Sequence, residues 1–371
     1  MHVQTQTEVR VNYSLNVSSI KLPSLFPAPY FLSIPIPFLN IAPYLYSLSP
    51  QRKKIFSIVF KASILLLAFG FIFHKLSNNE NITSFNKLIS SLDSKNVGLV
   101  LTTIFLLMFL NWFLEALKWK FLVQRVEKIS TWKAVESVFC GLTWAIFTPN
   151  RIGEYGGRVF FLSPRRRIMG VVAMGVGAFA QMVVTNVLGS LAILWFIGRF
   201  VELNILLYYS LSFLVFIFCG AFLLFYFNIR WLDGLLSRIS FIKPFKRFFV
   251  ILARYRKRDL LKVFIYSLSR FAVFTTQYYL IIHLLIPEIP VFEMLMMIFI
   301  LFFVQSALPS LDLLDVGVRS MTATYFFGFI TSQEVAIMAA TACIWLINLI
   351  IPAILGSVFV LKLNFFGTNR N

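Results

Sequence analysis

Acid is scarce in this chain. Asp and Glu number 15 in 371 residues, against 34 Lys and Arg, and charged residues make up 13% of the whole. A soluble domain of this length would carry about 25%, so an ordinary soluble globular protein is excluded. Cysteine is rare too: Cys140, Cys219 and Cys343 sit in apolar runs without CxxC spacing. That excludes a disulfide frame or thiolate metal site and leaves small apolar packers. The histidines His2, His74 and His283 are scattered, and no HExxH or Cys/His cluster exists. No metal and no other cofactor is expected. A Walker phosphate loop is missing as well, which argues against direct use of ATP.

What the chain has in abundance is apolar length. Hydrophobic residues make up 59%, and the mean hydropathy is +0.82. Apolar runs of roughly 20 residues, enough to cross a bilayer, recur along almost the whole sequence. The expected fold is all-α, a polytopic transmembrane helix bundle. The net charge of +19 reads as Lys and Arg gathered in cytoplasmic loops, not as a nucleic-acid surface. Basic loops beside a membrane also attract anionic lipid.

Residues 1–50 hold seven prolines among aromatic and polar residues. Such spacing breaks any helical pattern, and the stretch is read as a poorly ordered extension. Residues 51–371 are read as one transmembrane domain. Spans are expected at about 55–73, 97–117, 169–197, 204–227, 263–285 and 335–361, with a strongly basic segment at 228–262 lying along the membrane surface. Placing the basic loops inside puts both termini in the cytoplasm of a multi-pass inner-membrane protein. That threading requires the short apolar pieces before Pro149 and Pro309 to be re-entrant.

The two turns after those pieces resemble each other. The first reads P-N-R-I-G-E-Y-G-G-R, with Glu154 and Arg158 four residues apart; the second reads P-S-L-D-L-L-D-V-G-V-R, with Asp315 and Arg319 four apart. Pro149 and Pro309 are separated by 160 residues. Entry from opposite sides is the mark of an inverted repeat, with a first copy at about 97–227 and a second at about 260–361. Irregular backbone at membrane depth is tolerated only inside protein or along a wet cavity. A carboxylate and a guanidinium four apart on a helix can pair. The expected site therefore comprises Arg151, Gly153, Glu154, Gly157 and Arg158 from the first turn, Pro309, Asp312, Asp315 and Arg319 from the second, and Arg270 from within its span. Arg158, Arg270 and Arg319 suit a phosphate. The same pairs would equally serve as polar caps that lock the fold.

Other polar residues in spans are read more plainly. Glu115 and Lys118 are expected to pair near a helix end, with Lys118 snorkelling. Arg270 needs a partner, and Asp312 and Asp315 are the candidates. Gln181 and Asn186 read as helix–helix glue.

The segment L-N-W-F-L-E-A-L-K-W at 110–119, followed by 141–158 with T-P-N-R-I-G-E-Y-G-G-R, resembles the transmembrane region of lysylphosphatidylglycerol synthases. That region defines a family of flippase-like bacterial and archaeal membrane proteins, and the likeness covers roughly 55–361. Where the family often has a glycine-rich second turn, this chain has Leu311, Asp312, Leu313 and Leu314. In the synthases the region is thought to move aminoacylated phospholipid between leaflets, while a separate soluble domain makes the lipid; no room for such a domain is seen here. The resemblance implies a stand-alone translocase for a phospholipid or polyprenyl-phosphate lipid, and no enzyme. Two other readings are a membrane partner of a lipid synthase and a membrane-embedded lipid-modifying transferase. The latter usually needs an acid in a sizeable outer loop, and only Glu80 and Asp93 in 75–96 qualify.

Overall fold

A computed structural model describes residues 90, 94–146, 148, 151–231, 250–307 and 315–360. The proline-rich extension, the first expected span and most of the basic segment 228–262 lie outside them. The described residues belong to one folding unit and contain helices and no strand. In chain order the α-helices are α1 (Ser94–Val123), α2 (Thr131–Ala145), α3 (Ile152–Val159), α4 (Arg167–Phe200), α5 (Ile205–Phe227), α6 (Lys257–Leu285), α7 (Val291–Ala307), α8 (Asp315–Phe327), α9 (Glu334–Trp345) and α10 (Ile351–Val360). A π-helical turn, Leu346–Ile350, joins α9 to α10.

Four helical stretches are long and apolar enough to cross a membrane: Lys95–Val123, Pro164–Phe200, Ile205–Phe227 and Glu334–Val360. They coincide with four of the expected spans, and α1 runs about two turns further than its apolar run suggests. Without water, a spanning segment must satisfy its backbone internally, which a helix does. Their placement differs. Only 11% of the apolar window of α5 is buried, against 67% for Glu334–Val360, so α5 is peripheral and the last helix is central. Capping follows local chemistry: Ser130 Oγ accepts the Lys133 amide at 3.1 Å at the start of α2, and Asn204 Oδ1 accepts the Leu206 amide at 2.9 Å at the start of α5.

The helices fall into two series with matching neighbours. Lys257, Val291, Asp315 and Glu334 begin 163, 160, 163 and 167 residues after Ser94, Thr131, Ile152 and Arg167. In the first series α1 packs on α2, α2 on α3, and α3 on α4; in the second, α6 packs on α7, α7 on α8, and α8 on α9. Across the series α10 packs on α2 as α4 packs on α7, and α1 packs on α6. The last pair runs antiparallel: Gln277 Nε2 donates to Ile104 O at 2.9 Å, Arg270 Nε to Asn111 Oδ1 at 3.0 Å, and Arg125 Nη2 meets Asp259 Oδ2 at 2.9 Å. As the number rises on α1 it falls on α6.

Small residues set the closest approaches. A Cβ on Gly157 of α3 would lie 2.6 Å from Gly141 Cα of α2. Gly356 of α10 abuts the Phe139 carbonyl of α2, and Thr143 Oγ1 donates to Ala353 O at 2.8 Å beside it. Such stripes let apolar helices pack where lipid offers no hydrophobic drive for association.

Candidate functional site

The polar centre of the bundle begins on α1. Asn111, Glu115 and Lys118 are spaced by four and three residues, so they share one helix face. All three are buried. Lys118 Nζ meets Glu115 Oε2 at 2.7 Å. The expected pair forms, but neither residue snorkels at a helix end: Lys118 is 3% exposed.

Two more helices bring cations to the same carboxylate. From α3, Arg158 Nη1 donates to Glu115 Oε1 at 2.6 Å. From α6, Arg270 Nη1 donates to Glu115 Oε2, and its guanidinium carbon sits 5.1 Å from the centre of the Trp112 ring, within cation–π range. Arg270 thus finds Glu115 and Asn111. Asp312 lies outside the described residues, as does Pro309, and the Asp315 side chain is not described.

Behind Arg158 stands a second carboxylate. Arg158 Nη2 donates to Glu154 Oε1, the i,i+4 pair expected from the turn. Arg151 Nε donates to Glu154 Oε2 at 2.9 Å. The result is one connected set of six ionised side chains on α1, α3 and α6: Glu115 and Glu154 with Lys118, Arg151, Arg158 and Arg270. Among the described residues, four cations of this set face two carboxylates. Arg158 is 1% exposed, and its Nε has no hydrogen-bond partner among the described residues. A buried donor without a partner is costly unless something accepts from it.

Local chemistry shapes α3 for this task. Arg151 takes the left-handed conformation, φ 57° and ψ 25°, at the helix start, which costs a residue with a Cβ roughly 1–2 kcal/mol. The Gly153 amide is held by Thr148 Oγ1 at 2.7 Å. Gly153 and Gly157 face α2, where a Cβ on either would collide with backbone. Close approach to α2, not a loose hinge, is what they provide, and it presents Glu154 and Arg158 to α1.

Residues 308–314 of the second turn lie outside the described residues. Arg319 Nη1 donates to Gln305 Oε1 at 3.0 Å, joining α8 to α7. The extensive packing of α8 is on α7 and α9, and that of α3 on α2 and α4. Asn186 bonds its own helix at Met182 O, 2.8 Å away, and is not glue between helices. Gln181 Oε1 is buried with no hydrogen-bond partner among the described residues.

Sequence reasoning missed the pivot, Glu115, and its backing. Trp112 Nε1 donates to Asn348 O at 3.2 Å, tying α1 to the π-helical turn. Nothing local announces that link; only Asn111, Glu115 and Lys118 on one face of an apolar run gave a signal.

On another face, α1 borders apolar space. A groove of ≈ 350 Å³ is lined by Phe109, Leu110, Phe113, Val135 and Phe139, between α1 and α2. The guanidinium and ammonium groups of the cluster can hold an anion.

No curated protein matches the chain. The profile of the lysylphosphatidylglycerol synthase TM region matches residues 56–356, which include α1 through α9 and the whole ion cluster. The chain is a member of the lysylphosphatidylglycerol synthase TM region family.

Proposed function

We propose that the protein translocates a phosphate-bearing lipid, of aminoacyl-phospholipid or polyprenyl-phosphate type, between leaflets without altering it. The observation that carries this is the buried cluster of four cations and two carboxylates on α1, α3 and α6. An uncompensated charge inside a bilayer is expensive, so ionisable residues there mark a polar path. The guanidinium groups of Arg158 and Arg270 favour the charge of a phosphate entering that path. Glu115 already accepts from Arg158 and Arg270, as a pair of phosphate oxygens would. Entry of a head group shares those donors.

The antiparallel pairing of α1 with α6 and the matching neighbours of the two series support an inverted repeat. In that reading the hairpins α2–α3 and α7–α8 enter from opposite faces, and the basic end near Arg125 and Arg256 faces the cytoplasm of a bacterial inner membrane. The test is reconstitution. Purified full-length protein in proteoliposomes should speed leaflet exchange of labelled phosphatidylglycerol or a polyprenyl phosphate over empty vesicles, and the lipid should be recovered chemically unchanged. A covalently altered lipid would favour a transferase; no acceleration with any phosphate lipid from folded protein would favour a membrane partner of a synthase.

A further inference from the structure

The described residues of the basic segment 228–262 take no part in the ion pairs of the cluster, and they meet at one corner of the bundle. There α1 and α5 finish and α6 begins. An open groove of ≈ 590 Å³ is lined by Arg125, Arg230, Arg254 and Arg256, together with Gln124 and Ala253. A smaller groove of ≈ 270 Å³ shares Arg230 and Arg256 and continues along Phe227, Trp231 and Leu260 beside Lys257. Among the described residues no carboxylate lines either groove. The nearby acid, Asp259, is already taken: it meets Arg125 Nη2 at 2.9 Å and accepts the Arg256 amide at 3.1 Å.

The corner is braced, not loose. Tyr255 Oη donates to Leu122 O at 2.8 Å, Tyr226 Oη to Leu260 O at 2.7 Å, and Arg254 Nη1 to Arg125 O at 3.2 Å. Burial pushes the Tyr255 hydroxyl well above the ordinary phenol range, so it stays a donor. These bonds hold the guanidinium-bearing backbone of three elements in register. Forks held in place bind phosphate better than flexible chains, because less freedom is lost on binding.

We propose that the joined grooves are a binding site for one anionic membrane phospholipid, separate from the ion cluster. The arginines take the phosphate, and Phe227 and Trp231 take the first part of an acyl chain. None of the six cluster residues lines either groove, and the site does not depend on translocation. The apolar wall at the end of a membrane-crossing helix selects a lipid over a free phosphate. Basic pockets at this depth are suited to anionic head groups, each cation contributing on the order of tenfold or less.

The experiment is lipid titration of the full-length protein in detergent, using phosphatidylglycerol, phosphatidylcholine and inorganic pyrophosphate as probes. Phosphatidylglycerol should bind saturably at the corner, and phosphatidylcholine much more weakly. The Arg230→Gln/Arg256→Gln variant should lose roughly tenfold or more in phosphatidylglycerol affinity with helical content unchanged. The single variants should each lose about three- to fivefold, which keeps the test open if the double variant folds poorly. The component of binding lost in the Arg230→Gln/Arg256→Gln variant should persist in Arg158→Ala. Undiminished binding by the single or double variants, equal binding of phosphatidylcholine, or loss confined to Arg158→Ala would overturn the site. Displacement of the lipid by millimolar pyrophosphate would overturn its assignment to lipid.

Discussion

Removal of the Glu115 carboxylate would leave Lys118, Arg158 and Arg270 facing one another inside the bundle. Breaking a buried ion pair by deleting one partner costs about 3–5 kcal/mol, so Glu115→Ala should lower stability by that order in a thermal or denaturant assay in detergent. Arg158→Ala leaves two carboxylates with other cations, Lys118 and Arg270 on Glu115 and Arg151 on Glu154, and should cost less. Arg151 separates two effects. Arg151→Gly relieves a left-handed backbone while losing an ion pair, and Arg151→Ala keeps the strain and loses the pair. Arg151→Ala should therefore be the less stable of the two, by roughly 1 kcal/mol; equal stabilities would show that the strain is not felt. At this scale the sequence announced Glu154 with Arg158, because four-residue spacing on a helix is a local signal. It could not announce that Arg270 turns to Glu115, since that contact exists only because α6 lies antiparallel to α1, 155 residues away.

Elements position those residues by close packing. The hairpin α2–α3 depends on Gly157 meeting Gly141, and α10 reaches α2 through Gly356. Gly157→Ala should open the hairpin and cost about 1–3 kcal/mol, as overpacking does. Gly175→Ala, whose Cβ would meet nothing within 4 Å, should be neutral or slightly stabilising, since alanine is the better helix former. Equal effects of the two on thermal stability would contradict close packing as the role of Gly157. Apolar length was legible: four helices lie where hydropathy put them. The π-helical turn at Leu346–Ile350 was not, because extra residues inserted in a helix leave no period or composition to read. Its contact with Trp112 through Asn348 places it behind Arg270, and the second turn's Arg319 went to Gln305 through tertiary approach alone.

Across the whole molecule, the likeness of the turns at Pro149 and Pro309 pointed to a repeat, and the matched series of helices with their antiparallel central pair extend that likeness from ten residues to two sets of neighbours. The threading proposed from it puts the ends of α5 on opposite faces. Single cysteines at Glu202 and at Arg256, in a background lacking Cys140, Cys219 and Cys343, should therefore react with an impermeant thiol reagent from opposite sides of sealed vesicles; labelling from one side would refute the threading. The central claim is that the buried cluster carries a lipid phosphate across. Leaflet-resolved movement of labelled phosphatidylglycerol or polyprenyl phosphate, compared in proteoliposomes of wild type, Arg158→Ala and Arg270→Ala at equal folded protein, tests it most directly. The account predicts fast exchange with at least one of these lipids in wild type and a loss of tenfold or more in both variants. Exchange as fast in the variants as in wild type would contradict it and leave the cluster as a lock between α1, α3 and α6.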